Sequence, residues 1–227
     1  MDVLAQGLAE LGFSGDRMDT VYRAMDAYVR ELLLFNAAYD LVGAQTRGEI
    51  VVRHILDSLA AVQVLDGHIE RLQSVSGGGA ADAPVRIGDI GSGAGLPGIP
   101  LACAYPSVQF TLIERMSKRC LFLENCCAVL GLGNATVANE QAERFPKRTL
   151  DIIVFRAFKP LERKTAKTLL SLLKTGGLFA AYKARAQRIA EEMADIADLI
   201  PNYTAVPLHV PFLADHERHL VTAVKKT

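Results

Sequence analysis

Asp89-Ile90-Gly91-Ser92-Gly93-Ala94-Gly95-Leu96-Pro97-Gly98-Ile99-Pro100 is the segment on which the fold turns. A short apolar run, Val85–Ile90, leads into it and a helical pattern leaves it. Glycines at a strand-to-helix turn permit positive φ and let a ligand approach the backbone. The helix start beyond is expected to offer N–H groups without partners. Two ligand classes compete for such a loop. Gly93-x-Gly95-x-x-Gly98 has dinucleotide spacing, but the glycine nearest the strand is Gly91, whose register is GxGxG. Asp89, two positions before that glycine, would repel a pyrophosphate and suits a cationic amine or sulfonium, which S-adenosylmethionine carries. The residues therefore favour the methyl donor, with a nicotinamide dinucleotide as the alternative. Glu114, ending the next apolar run, could accept two ribose hydroxyls in either case. Walker-type phosphate binding is excluded, because no Gly-Lys-Ser/Thr follows.

Outward from the loop the chain alternates. Apolar runs at Val85–Ile90, Val108–Ile113, Ala135–Ala138, Asp151–Phe155 and Leu178–Tyr182 are separated by helical patterns at Ser117–Leu130, Pro160–Leu173 and Ala186–Leu199. That grammar predicts an α/β fold with a parallel sheet covered on both faces. Val206–Val210 and His219–Val224 have no helix between them and predict a terminal antiparallel hairpin on that sheet. Before the loop the pattern is helical. Met18, Val21, Tyr22, Met25, Tyr28, Val29, Leu32 and Leu33 recur at helical spacing from Asp16 to Phe35, and a second helix reads from Gly48 to Leu65. Residues 74–84 are small, Gly-rich and end in Pro84, the composition of a linker. The expected division is a helical cap over 1–73, a linker over 74–84 and a second unit over 85–227.

Composition narrows the class. Of 227 residues, 50% are apolar and 22% charged, and mean hydropathy is +0.19, so the chain can bury a core. Formal charge is zero, but residues 1–80 carry six basic and 11 acidic side chains while 81–227 carry 19 and 14. A polyanion should meet the C-terminal part. Cys103, Cys120, Cys126 and Cys127 form no CxxC pair and have no His at zinc spacing, so no metal is expected, and Cys103 and Cys120 read as core. The first residues lack a signal-peptide pattern and no apolar stretch reaches membrane-span length, so the expected setting is cytoplasmic, without membrane contact.

Taken together these residues resemble the bacterial small-subunit ribosomal RNA guanine-N7 methyltransferases, the glucose-inhibited division protein B family. Asp89–Leu101 resembles that family's glycine motif, and Val52-Arg53-His54-Ile55-Leu56-Asp57-Ser58 its most recognisable block elsewhere. Asp40-Leu41-Val42-Gly43, Phe110–Glu114 with Ser117-Lys118-Arg119, Arg156-Ala157-Phe158 and Glu217–Val221 also fit. The resemblance implies a Rossmann-like class I S-adenosylmethionine-dependent methyltransferase: a seven-stranded, mostly parallel sheet with an N-terminal helical cap. It implies 16S ribosomal RNA, free or in the small subunit, as partner; a monomer is expected. It implies donor contacts at Gly91, Leu96, Ala142, Glu143 and Arg156. Gln141 stands where an Arg is common, and Glu114 replaces a frequent Asp.

The candidate site then comprises Asp89, Gly91, Gly93, Gly95, Leu96, Glu114, Ala142, Glu143 and Arg156 for the donor. Arg156 is also the catalytic candidate, since it ends a buried strand run where open α/β sheets bind ligands and could reach the donor carboxylate or guanine O6. His54, Asp57 and Ser58 fall on one predicted helix face, with Arg53 placed to pair with Asp57. Together with Lys183 and Arg218 they form the expected substrate side. Lys159, Arg163, Lys164, Lys167, Arg185 and Arg188 are further basic residues near that rim. Guanine N7 is a lone pair with no proton to lose, so an in-line approach is needed rather than a strong base. No Asn/Asp-Pro-Pro-Tyr/Phe and no Pro-Cys motif argues for amine or pyrimidine-C5 chemistry. A binding protein that keeps the fold as a ribosome-assembly factor is the non-catalytic alternative.

Overall fold

The computed structural model describes residues 2–76, 83–156 and 161–226. Gly77–Asp82 of the expected linker, and Ala157, Phe158 and Lys159, lie outside the described residues.

Helical segments precede the sheet. They are α1 (Val3–Glu10), α2 (Gly15–Tyr39), α3 (Arg47–Ile50), a π-helical turn (Val51–Leu56), α4 (Asp57–Leu59) and α5 (Val62–Ser76). α1 has no apolar run to announce it. It forms because the Asp2 carboxylate accepts from the Leu4 N–H and because Leu4, Gly7 and Leu8 fall on one buried stripe. Thr46 and Glu49 close a reciprocal capping box at the start of α3. The single predicted helix over 48–65 is thus broken into α3, the π turn, α4 and the start of α5. The last of these continues through Ser74 and so occupies the beginning of the expected linker.

The remainder alternates β1 (Arg86–Ile90), α6 (Gly98–Ala104), β2 (Gln109–Glu114), α7 (Ser117–Val129), β3 (Ala135–Asn139), β4 (Leu150–Arg156), α8 (Arg163–Leu172), β5 (Leu173–Lys183), α9 (Ala186–Ala194), β6 (Thr204–Pro207) and β7 (His219–Val224). These strands make one seven-stranded sheet in the order β3-β2-β1-β4-β5-β7-β6. β1 to β5 run parallel, and β7 lies antiparallel between β5 and β6. The expected parallel sheet and hairpin are both present. The hairpin differs in that its first strand is 204–207 rather than 206–210, and its second strand inserts beside β5.

Alternation along the strands divides the interior into two layers. Ile152, Val154, Leu178, Ala180 and Tyr182 join a core shared with α6, α7 and the N-terminal helices, including Tyr28, Leu32 and Ile55. Ile153, Phe155, Phe179 and Ala181 face the other layer, packed with Leu169 and Leu172 of α8 and Ile189 and Met193 of α9. The N-terminal helices therefore bury their apolar stripe against the sheet layer itself. The buried Tyr28 hydroxyl, on α2, donates to the Ala94 carbonyl and ties α2 to the glycine loop. Among the described residues, no helix is long and apolar enough to cross a membrane.

Candidate active site

β1 ends at Ile90, and the Gly91 and Ser92 N–H groups both donate to Ile113 O of β2, at 2.9 and 3.1 Å. The chain must then turn sharply, and Gly91, Gly93 and Gly95 do so at φ of 69°, 59° and 90°. Gly95 is also a packing requirement, since a Cβ there would lie 2.5 Å from the Ile99 side chain. The loop is braced from behind by two carboxylates. Asp89 Oδ2 accepts from Ser92 Oγ at 2.6 Å and from the Gly98 N–H at 3.0 Å. Glu114 Oε2 accepts from the Gly93 N–H at 3.0 Å and Oε1 from the Met116 N–H at 2.9 Å.

This geometry corrects three expectations. Asp89 is fully buried and does not line the cleft, so its carboxylate does not face a ligand directly. Burial pushes its carboxyl up to about 6, even though the Ser92 and Gly98 hydrogen bonds pull the other way. Its Oδ1 is buried with no partner among the described residues. The start of α6 is likewise not open for an anion, because Asp89 already takes the Gly98 N–H. Glu114, too, lies behind the loop rather than on the cleft wall.

In front of the loop is a cleft of about 730 Å³, at the carboxyl ends of β1, β4 and β5. Gly91, Gly93, Leu96, His54, Asp57, Arg156, Lys183 and Arg218 all line it. Residues more than 150 positions apart are thus brought to one wall. The Asp57 carboxylate sits at the centre of that wall. Its Oδ2 accepts from Arg156 Nη1 at 2.8 Å and its Oδ1 from Arg218 Nε at 2.9 Å. Arg53, predicted to pair with Asp57, does not; its place is taken by Arg156, at the end of β4, and Arg218, just before β7. Arg156 Nη1 also reaches Arg53 O and His54 O at 3.4 and 3.5 Å, carbonyls of the π-helical turn, and Nη2 lies 3.3 Å from His54 Nδ1. Short π-helical turns of this kind recur at functional sites.

Four further site candidates are elsewhere. Ser58 is fully buried, because its hydroxyl bonds back to His54 O at 2.6 Å, while its own carbonyl accepts from Tyr182 Oη at 2.8 Å. It anchors the turn to β5 and is not part of the cleft wall. Gly95 is behind the loop surface. Ala142 and Glu143 follow β3 outside the cleft, Ala142 half-buried against the second core layer and Glu143 exposed.

Charge in the cleft differs from expectation as well. Lys183 is paired with Glu192 at 2.5 Å and Arg218 with Asp57. Arg163 is held by both oxygens of Asp198, away from the cleft. The cations that line the cleft without an ion pair among the described residues are Arg53, Arg119, Arg185 and Arg188. Of these, Arg119 and Arg53 are not among the residues that the sequence marks as site candidates. Their signal is adjacency, since each stands inside a block that carries the family resemblance. Tyr182, at the end of a predicted strand run, and Leu41, Val42 and Gly43, inside another block that carries the resemblance, also line the cleft. The last three are ordered by Asn36, whose amide accepts from the Leu41 and Val42 N–H groups and donates to Val42 O and Ala44 O. Cys103 and Cys120 are buried, as the sequence leads one to expect.

Comparison with known proteins accords with this architecture. The family profile described as "rRNA small subunit methyltransferase G" (GidB) matches residues 21–221. A ribosomal RNA small subunit methyltransferase G from Treponema denticola is 38% identical over 239 residues, covering 98% of this chain and 94% of that one. The protein of the same name from Treponema pallidum (strain Nichols) is 39% identical over 224 residues, covering 96% and 91%. A solved structure titled a predicted O-methyltransferase, from Agrobacterium tumefaciens, superposes with a TM-score of 0.53 at 21% identity, over 64% of this chain and 76% of that one. That likeness speaks to the fold alone, the Rossmann-like fold of class I methyltransferases. With the profile spanning most of the sheet and cap and relatives matching nearly end to end, the chain belongs to the rRNA small subunit methyltransferase G family.

Proposed function

We propose that the cleft binds S-adenosylmethionine against the Gly91–Leu96 loop and a guanine of 16S ribosomal RNA against the His54–Asp57–Arg156 wall, and methylates the guanine at N7. The observation that carries this reading is that the glycine loop and the basic wall open into one cleft of about 730 Å³. That is enough for a nucleoside-sized donor and a flipped base together. The fit to the donor rests on the loop. Gly91 and Gly93 present backbone rather than side chains to the cleft, and a Cβ at Gly93 would be strained at its φ of 59°. When bound, S-adenosylmethionine supplies an electrophilic methyl group on a sulfonium.

The chain's own residues then have separable tasks. Asp89 and Glu114 hold the loop's shape through the Ser92, Gly93 and Gly98 contacts. Asp89 acts on the donor through that shape, and its unpartnered Oδ1 is the remaining acceptor behind it. Arg156 is fixed by Asp57 and His54, and its remaining N–H donors would serve the donor carboxylate. Arg53, Arg119, Arg185 and Arg188 offer charge to RNA phosphates. Ala142 and Glu143 stay assigned to the adenine side by resemblance. No general base is required at N7, which suits a wall whose carboxylate is already committed to two arginines. In this division residues 1–73 form the substrate-side cap and 85–227 the donor-side unit, in a cytoplasmic setting.

Incubation with tritiated S-adenosylmethionine and either free 16S RNA or small subunits, followed by mass-spectrometric mapping, tests the reading. Label on a single guanine, at N7, is expected. Label on an exocyclic amine or ribose, or none with either substrate, would refute it.

A further inference from the structure

On the cleft wall, Arg156 Nη2 lies 3.3 Å from His54 Nδ1. A guanidinium has five N–H donors and no acceptor, so Nδ1 must be the accepting nitrogen. Burial first, then the Arg156 and Arg53 guanidinia, push the His54 imidazole down to about 4, so the ring is neutral near pH 7. A neutral ring that accepts at Nδ1 carries its one proton at Nε2. That nitrogen has no partner among the described residues and is not sealed in the core, and His54 lines the cleft. The arrangement is rigid because Arg156 is itself clamped by Asp57 at 2.8 Å. A fixed neutral donor therefore borders a cleft whose other side-chain donors include the arginines Arg53, Arg119, Arg185 and Arg188.

Guanine carries O6, an acceptor, beside N7, whereas adenine carries an amino donor there. A single preset N–H would gain a hydrogen bond from the first and oppose a donor on the second. We infer that His54, through its Nε2–H, reads O6 of the target guanine and so determines base specificity, with Arg156 and Asp57 as the residues that position it. This rests on the guanine-N7 reading above. It reassigns to His54 the O6 contact that sequence alone allowed to Arg156, whose Nη1 is taken up by Asp57 and the π-turn carbonyls.

The test uses the full-length protein, tritiated S-adenosylmethionine and small-subunit RNA carrying one of four nucleosides at the mapped position. These are guanosine, inosine (O6 kept), 2-aminopurine riboside (O6 removed, N7 kept) and 7-deazaguanosine (N7 removed). The parent should prefer guanosine and inosine over 2-aminopurine by about tenfold in kcat/KM, the equivalent of one good hydrogen bond. His54→Leu should reduce that preference to about two- or threefold by losing activity on the O6-bearing substrates alone. His54→Gln, which keeps an N–H near the Nε2 position, should restore most of it. An equal loss on guanosine and 2-aminopurine in His54→Leu would mean a structural role and overturn the inference, as would a parent preference near unity. Should His54→Leu fail to fold, the parent preference and His54→Gln decide the matter. Methylation that survives on 7-deazaguanosine would overturn the N7 reading and this inference with it. Its abolition together with an unchanged preference in His54→Leu would overturn only the latter.

Discussion

Replacing Asp57 by Asn is the most direct probe of the cleft wall. Asp57 is 4% exposed and bonded to two guanidinia, whose side chains are 14% (Arg156) and 24% (Arg218) exposed. Asn preserves volume and one acceptor but removes the charge that both arginines face. Stranding a buried ionic partner costs about 3–5 kcal/mol. Because both guanidinia border the open cleft and can gain water, the lower end applies, roughly 3 kcal/mol. For a chain of this length each kcal/mol moves Tm by about 2–4 °C, so a fall of roughly 6–12 °C is expected. Urea unfolding at 25 °C and calorimetry would both read it. Much of that loss reflects the stranded guanidinium rather than the pair's net worth. Asp57→Asn should therefore be milder in an Arg156→Met background, with a coupling of at least about 1 kcal/mol. Destabilisation under about 1 kcal/mol, or strict additivity with Arg156→Met, would refute the picture of Asp57 as the hub joining helix and sheet.

The loop and the rim give three more expected outcomes. Gly98→Ala would put a Cβ 2.5 Å from both Asp89 Oδ2 and Leu112, so a loss of about 1–3 kcal/mol and weaker donor binding by calorimetric titration are expected; parent-like values would contradict the bracing role. The Asp89 carboxyl is raised from 3.8 to about 6, so the folded state holds its proton more tightly. The stability this gives is complete below about pH 3.8 and is lost as pH rises to about 6. Parent stability relative to Asp89→Asn should thus fall by about 2 kcal/mol between pH 4 and 7, and a flat difference would show an ordinary carboxyl. Arg185→Ala with Arg188→Ala should weaken RNA binding and flatten the plot of log K against log salt by about 1.5, while an unchanged slope would exclude both from phosphate contact.

Legibility of the sequence differs from element to element. Strand runs such as Ile152-Ile153-Val154 are continuous because the central strands are buried on both faces, so they can be read one by one. The 48–65 segment reads as one helix because apolar spacing does not register a π turn. The carbonyls of Arg53 and His54 in that turn meet Arg156, a partner about a hundred positions away that local spacing does not reveal. Lys183 and Arg218 read as phosphate-binding cations, yet each is held by a carboxylate distant in sequence or on the next helix, while Arg53 and Arg119, without an ion pair among the described residues, also line the cleft.

The order of elements, the glycine turn and the family are all written in the amino-acid order. They depend on local period, on residues that tolerate positive φ, and on blocks of adjacent positions. Three-dimensional packing, in contrast, is what sets Asp89 and Glu114 behind the loop as braces, turns Ser58 inward, and gathers two arginines, one ending β4 and one just before β7, onto one helical carboxylate. Burial and pairing of charge depend on which surfaces are brought together across the whole chain, and no window of neighbouring residues contains that information.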